Sequence, residues 1–487
     1  MGNIDKKVAN ATKWSLITEV IAKLISPIVN MILARLLVPE AFGAVATITM
    51  IISFAEIFTD AGFQKYIVQH EFKDDDDFDK SVNVAFWSNL MLSTIFVLVI
   101  WIFRNPLANL VGSPELGTGI AVASFNIICV AFSSIQMAIY RRNFRFKTLF
   151  YVRMITSLIP LVVTVPLALV FRNYWALLLG TLTMHFVQAA ILTIKSKWKP
   201  RFYYSFKRLK EMISFTAFTM LETVSIWLTQ YIDTFIVGKF LSDYYLGLYK
   251  TSITTVNAYM NIIVSSIVPV LFATLSRYQS DDEQFKKTYF DFQKMVAIFL
   301  LPMGIGLYIY RELVISILLG KGWEEASGFV GLWGLTSAVT IVLSYFASEV
   351  YRSKGKPNIS LIMQLFHLSI LVPSLLLTIN SGFETLYTVR SIVRLECLIS
   401  APVVLSAVFK IRIKDTLKNI FPQTISAVFM GMIAVSVKNI FNDMIWQFVT
   451  VGICVIAYFG ILMLFPSMRK IIFEVKIVRN VINKIKK

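Results

Sequence analysis

The sequence is short of the groups on which most enzymes rely. Its 487 residues include three cysteines and three histidines, and only 16% are charged. Cys129, Cys397 and Cys454 each fall inside an apolar run. That excludes a disulfide scaffold and reads as small buried side chains. His70, His185 and His367 are far apart in the chain, with no zinc-ligand spacing. There is no G-x-x-x-x-G-K-[ST] phosphate loop, so the chain is not expected to hydrolyse ATP, and there is no G-x-S-x-G nucleophile elbow. The run Asp74–Asp77 has carboxylates of the kind that hold Mg²⁺. It stands in a short connection with no other active-site feature nearby, and it reads as a solvated loop. No segment near Met1 has the pattern of a signal peptide, because residues 1–13 are polar and the first apolar run is too long. These absences lead us to expect no catalytic residues, no metal and no bound cofactor.

What the chain has instead is apolar length. It is 56% hydrophobic with a mean hydropathy of +0.69, whereas a soluble domain is about half apolar and about a quarter charged. Fourteen runs are long enough to cross the hydrocarbon layer, near residues 13–37, 41–62, 82–103, 119–140, 149–171, 174–194, 212–237, 246–273, 291–310, 327–350, 358–379, 385–409, 419–437 and 445–465. The fold class is therefore all-α integral membrane. Counting Lys and Arg in alternate connections, with Lys13 and Lys294 at the helix ends included, gives 35 on the side of the N-terminus and 6 on the other. The positive-inside rule then places both ends in the cytoplasm. A net charge of +18 would suggest nucleic acid in a soluble protein, but here it reports basic loops beside anionic lipid. Outward connections reach only about 16 residues, too few for the external catalytic domain of a membrane polymerase.

The first six helices have a counterpart in the next six. Glu19 is followed by Asn30 as Glu222 is by Asp233; with one inserted residue, Arg35 then aligns with Lys239 and Gly43 with Gly247. RLLVPEAFG from Arg35 matches KFLSDYYLG from Lys239, and the acidic connections at Asp74–Asp77 and Asp281–Glu283 correspond. Six is even, so the copies share one orientation and form a parallel repeat. The expected lobes are 1–205 and 206–410, followed by 411–487 with two further helices and a cytoplasmic tail. Their joint, 195–211, is basic and aromatic, as an amphipathic strip on the membrane surface would be. In such repeats the working site lies between bundles near the midplane, and the bundles rock.

Charge inside the membrane marks the candidate residues, since placing one at the centre costs at least about 2.5–3.5 kcal/mol. Glu19 and Lys23 share a face of the first helix, Glu56 and Asp60 a face of the second. Arg153, Glu222, Asp233, Lys250, Arg390, Arg394 and Glu396 lie further along. Arg394 is about 15 Å deep from one side and Lys23 similarly deep from the other. Together they would make the pocket cationic and suited to a diphosphate, with Arg390, Arg35 and Arg153 as further binding candidates. Glu19, Glu56, Asp60, Glu222 and Asp233 are the candidates to carry a coupling H⁺ or Na⁺. Self-neutralising i,i+4 pairing, bonding between helices and snorkelling near helix ends are the competing explanations. Pro27, Pro160, Pro166, Pro302, Pro373 and Pro402 fall within apolar runs, where proline bends a helix.

Several motifs in order carry a family resemblance: RLLVPEAFG at Arg35, YRRNFRFKTL at Tyr140, YIDTFIVGKFLSDYYLGLY at Tyr231, LLGKGWEEA at Leu318 and YRSKGKP at Tyr351. Through them the chain resembles the polysaccharide transporter family of bacterial flippases. These are the Wzx-like oligosaccharide translocases of the multidrug/oligosaccharidyl-lipid/polysaccharide (MOP) superfamily. The stretch after the fourth helix is most similar to the colanic-acid-exporter branch. The resemblance implies a V-shaped, MATE-like fold of two six-helix bundles. It implies alternating-access export of undecaprenyl-diphosphate-linked oligosaccharide across the bacterial inner membrane for O-antigen, capsule or exopolysaccharide. It also implies a cation-lined cavity and ion coupling. Arg141, Arg142 and Arg145 are added as diphosphate recruiters at the cytoplasmic mouth, with plain positive-inside loop residues as the other reading. Membrane lipids, and a polymerase and chain-length regulator of the same pathway, complete the expected partners. A cation-coupled drug exporter of the same fold would show a more acidic and aromatic cavity.

Overall fold

The computed structural model describes residues 25–60, 62–356, 358–441 and 443–469, leaving aside the side chains of 217–219, 221, 222, 266, 269 and 273. Among the described residues all regular structure is helical. In chain order the principal helices are α1 (Ile25–Leu36), α2 (Pro39–Asp60), α3 (Phe63–Gln69), α4 (Asp75–Ile102), α5 (Pro114–Arg142), α6 (Phe146–Phe171), α7 (Tyr174–Lys195) and α8 (Phe206–Phe240). There follow α9 (Asp243–Arg277), α10 (Asp282–Ile309), α11 (Ala326–Ser353), α12 (Asn358–Ser381), α13 (Phe383–Phe409), α14 (Ile413–Lys438) and α15 (Met444–Leu462). Twelve of them are long and apolar enough to cross a membrane, so the protein is a multi-pass membrane protein. Of the fourteen expected spans, the other two fall on α1 and α8. The part of the first before residue 25 lies outside the described residues.

The chain packs as two compact units. The first comprises Met1–Thr254, Leu319–Gly322 and Leu368–Leu386, the second Thr255–Leu318, Trp323–His367 and Tyr387–Lys487. In the first unit, Ile48 and Ile52 of α2 pack with Val97 of α4, Ile120 and Ile127 of α5 and Leu178 of α7. A second cluster joins Phe63 and Ile67 of α3 to Phe86 of α4, Ile135 of α5 and Met212 of α8.

Hydrocarbon gives helices little reason to associate except close packing and polar ties, so small residues gather at crossings. In the first unit α2 and α9 approach backbone to backbone. A Cβ on Gly43 would overlap the carbonyl oxygen of Asp243, and one on Gly247 would overlap that of Pro39. These four residues are two repeat-equivalent pairs at one offset, 243 − 39 = 247 − 43 = 204. Reciprocal contacts of this kind are what a two-fold relation produces where the copies touch.

The aligned acidic connections also have a common cause. Asp74 caps α4 by accepting from the Asp77 amide at 2.7 Å. Asp281 caps α10 by accepting from Glu283 and Gln284 at 3.1 and 3.0 Å. Carboxylates at a helix start satisfy its free N–H groups and complement its dipole. Asp77 then pairs with Arg208, and Asp282 with Lys354 at 2.8 Å.

In the second unit α10 packs along α11 and α14, and α14 packs against α15. Polar side chains tie these helices where apolar area counts for little. Tyr458 of α15 donates to the Ile298 carbonyl of α10 at 2.8 Å. Fully buried Gln293 donates to the Val342 carbonyl at 3.1 Å and accepts from Asn419 at 3.0 Å. Val342 lies in a π-helical stretch, Ile341–Tyr345, whose widened turn leaves a carbonyl for a side chain to serve. Gln293→Leu is expected to lose about 1–2 kcal/mol, read as an earlier unfolding midpoint when SDS is titrated into the detergent-solubilised protein. An unchanged midpoint would mean that this tie contributes nothing.

Candidate functional site

The site candidate with the most developed geometry lies in the second unit, where α13 is interrupted. Its first segment, Phe383–Val393, gives way to a 3₁₀ turn at Arg394–Glu396 before the helix resumes at Cys397. The facing π stretch of α11 is irregular at the same level, and Ser344 donates to the Cys397 carbonyl at 2.6 Å. Tighter and wider turns of this sort recur where a helix is bent to a function.

Below the break α13 runs alongside α11 in register. Tyr387 stacks on Phe329 at 5.3 Å. The guanidinium carbons of Arg390 and Arg394 sit 4.9 and 4.0 Å from the Trp333 ring centre. Arg394 donates to the Ser337 hydroxyl at 2.7 Å, and the Trp333 indole N–H donates to Asn257 at 3.3 Å. Spacings of four on α11 and of three and four on α13 place these groups on facing stripes. An indole face holds a guanidinium by its quadrupole and fixes the plane in which its N–H groups donate. The two arginines differ in access, since Arg390 is 8% exposed and Arg394 is half-buried. On the other side of the break, Glu396 meets His367 of α12 at 3.0 Å and accepts from Ser400 at 2.8 Å. Sequence reading placed no role on His367, because nothing in linear spacing links residues 367 and 396.

The remaining candidates in the described structure belong to the first unit. Asp233 is buried, 3% exposed. One of its carboxylate oxygens accepts from the Thr234 amide at 2.7 Å and the other from the Tyr249 hydroxyl at 3.0 Å. Lys250 donates to the Thr234 hydroxyl at 2.8 Å, one group away from the carboxylate. Asp60 accepts from Gln64 at 3.3 Å, and Gln64 accepts from Arg141 at 3.2 Å, so an amide bridges opposite charges. Glu56 is half-buried one turn before Asp60. Arg142 donates to the Ile67, Val68 and His70 carbonyls at 2.9, 3.3 and 2.7 Å and lies 4.7 Å over Phe72. That is the geometry of a cap on the C-terminal end of α3. Arg145 shares a cavity of about 450 Å³ with Lys197, Lys199 and Arg201. Arg153 is exposed, and the stem of Arg35 packs over Gly320. Glu19 and Lys23, and the Glu222 side chain, lie outside the described residues.

An all-helical polytopic fold with cationic side chains set among its spans, together with the transport-protein relative described next, marks a membrane transporter. The chain belongs to the polysaccharide biosynthesis protein family, whose pattern it matches over residues 32–328. It is 25% identical over 343 residues to the succinoglycan biosynthesis transport protein ExoT of Rhizobium meliloti, covering 70% of this chain and 68% of that one. It is 18% identical over 381 residues to the lipopolysaccharide biosynthesis protein WzxC of Escherichia coli, covering 77% and 76%. Among solved structures, the inward closed conformation of the lipid II flippase MurJ superposes with a TM-score of 0.75 at 14% identity, over 92% of this chain and 98% of that one. An inward-facing MATE multidrug transporter of the MOP superfamily gives 0.62 at 14%, over 82% and 96%. The fold is thus the one shared by MurJ and MATE transporters.

Proposed function

We propose that this protein is a flippase that carries an undecaprenyl-diphosphate-linked oligosaccharide across the bacterial inner membrane for polysaccharide assembly, with both of its ends in the cytoplasm. The observation that carries the proposal is the shelf on α11, where Trp333 and Ser337 hold the Arg394 guanidinium within a membrane span. A diphosphate is the membrane-lipid group best matched to a pre-oriented guanidinium fork. In this reading Arg394 grips the diphosphate, joined by Lys23 and by Arg35, Arg153 and Arg390. Arg141 and Arg145 gather the head group at the cytoplasmic mouth, with Arg142 beside them. The polyprenyl tail stays in lipid while the two bundles alternate in access. A proton or Na⁺ on Glu56, Asp60 or Asp233, together with Glu19 and Glu222, resets the cycle. The family match and the transport proteins among the relatives support this substrate class over a drug.

Cells lacking the protein should keep making the lipid-linked unit and fail to display it. The measurement is the unit's accessibility to a membrane-impermeant lectin in spheroplasts, with and without the protein. Collapsing the proton and sodium gradients separately in complemented cells identifies the coupling ion. Equal lectin labelling in the two strains would remove the proposal, and drug resistance without a polysaccharide defect would replace it with the exporter reading.

A further inference from the structure

At the second face of the α13 break an imidazole, a carboxylate and a thiol come together. His367 Nδ1, a Glu396 carboxylate oxygen and Cys397 Sγ all lie within 4.8 Å of one another. The imidazole and the thiol both meet the same oxygen, Glu396 Oε1, at 3.0 Å each. The second carboxylate oxygen is held by the Ser400 hydroxyl at 2.8 Å. Ser344 fixes the backbone from which Cys397 projects.

We propose that His367, Glu396 and Cys397 form a binding site for a soft divalent transition metal, with Zn²⁺ as its representative. The donor set is one nitrogen, one oxygen and one sulfur. Alkali and alkaline-earth cations select all-oxygen shells, while imidazole and thiolate favour zinc and its neighbours. Zinc bonds of about 2.0–2.3 Å set neighbouring tetrahedral donors roughly 3.3–3.8 Å apart. The two 3.0 Å contacts to Glu396 Oε1 need to lengthen by only about half an ångström, and the imidazole and thiol donors, within 4.8 Å of each other, to settle at the same spacing, movements that side-chain torsions supply. Ser400 on the free carboxylate oxygen is the outer partner that keeps a ligating carboxylate oriented. Three protein ligands leave a fourth position open to water or another donor. The His367 and Glu396 side chains are each 14% exposed, so the site is not sealed.

Metal binding converts the Cys397 thiol to a thiolate, its proton leaving to solvent, and places the imidazole proton on Nε2. The ion takes over the role now filled by the shared oxygen and joins α12 to α13. Arg390 and Arg394 stack on Trp333, but their charge also reaches His367 and Cys397, so the Glu396 carboxylate and the Cys397 thiolate have to offset it for a cation to bind. The proposal goes beyond the flippase reading and does not need it, because its test reads metal binding alone.

The test uses the full chain in detergent with a purification tag free of histidine. Zn²⁺ titrated by competition with a chromophoric chelator should bind once per chain. Cys397→Ser and His367→Ala should weaken that binding at least tenfold, while Cys129→Ser and Cys454→Ser leave it unchanged. Co²⁺ in the wild-type protein should give a thiolate charge-transfer band that Cys397→Ser abolishes, which keeps the test decisive if His367→Ala does not fold. Absence of stoichiometric binding, or equal affinity in wild type and Cys397→Ser, overturns the proposal.

Discussion

Replacing Arg394 with alanine should lower surface polysaccharide about a hundredfold at unchanged protein level. Two charge-assisted hydrogen bonds to a phosphate, at about 1.5–3 kcal/mol each, give a loss of at least about 3 kcal/mol, and each 1.4 kcal/mol is about tenfold. Little structural loss accompanies it, because Arg394 is half-buried and its stacking partner Trp333 keeps its own bond to Asn257. Arg394→Lys should recover only part of the activity, since an ammonium keeps the charge but not the planar fork. Trp333→Ala should fall between the two, having removed the surface that orients the guanidinium. Arg390→Ala separates packing from binding. That residue is only 8% exposed, so its loss should appear first as reduced folded protein. The experiment is quantitative display of polysaccharide in a complemented deletion strain, with membrane levels measured by immunoblot. Near-normal display from Arg394→Ala would take this residue out of the substrate path.

A single methyl at the α2–α9 crossing should be nearly as damaging, for a different reason. Gly247→Ala places a Cβ on top of the Pro39 carbonyl and 3.2 Å from the Gly43 amide nitrogen, and Gly43→Ala places one on that of Asp243 and 2.9 Å from the Gly247 amide nitrogen. Backbone cannot swing aside as a side-chain tip can, so the helices must separate. Overpacking costs about 1–3 kcal/mol even in adaptable cores, and a leucine at either position should abolish folding. Gly452→Ala and Gly460→Ala in α15 are the controls, because a Cβ there meets nothing within 4 Å. Fluorescence-detected size exclusion should show a monodisperse peak for the controls and its loss for the crossing variants. An intact peak from Gly247→Ala would show that the contact is looser than described.

Features that depend on one stretch of chain were legible in the sequence. Apolar length gave the spans, because the bilayer imposes it locally. Gly43 and Gly247, which the sequence aligns only as repeat equivalents, also meet in the structure, and the matched acids at Asp74 and Asp281 mark the same kind of helix cap. Arg390 and Arg394 were visible as costly charges. Their shared indole was not, since Trp333 lies two helices earlier and reads alone as one more aromatic. Likewise nothing in the order of residues announces that Arg142 serves three carbonyls at the end of α3, or that His367 meets Glu396. Such roles depend on which faces of distant helices adjoin. The π stretch at Ile341–Tyr345 and the 3₁₀ turn at Arg394–Glu396 escaped for a related reason. Neither contains a proline, and each is sustained by partners from other helices, Gln293 on the Val342 carbonyl and Ser344 on the Cys397 carbonyl.

The meeting of Gly43 with Gly247 also constrains how this duplicated chain can diverge. Here each copy is the other's immediate surroundings. Bulk gained by one must be surrendered by its twin, and a residue with no side chain has none to surrender. The pair is consequently constrained jointly, and a substitution at either glycine is felt at both.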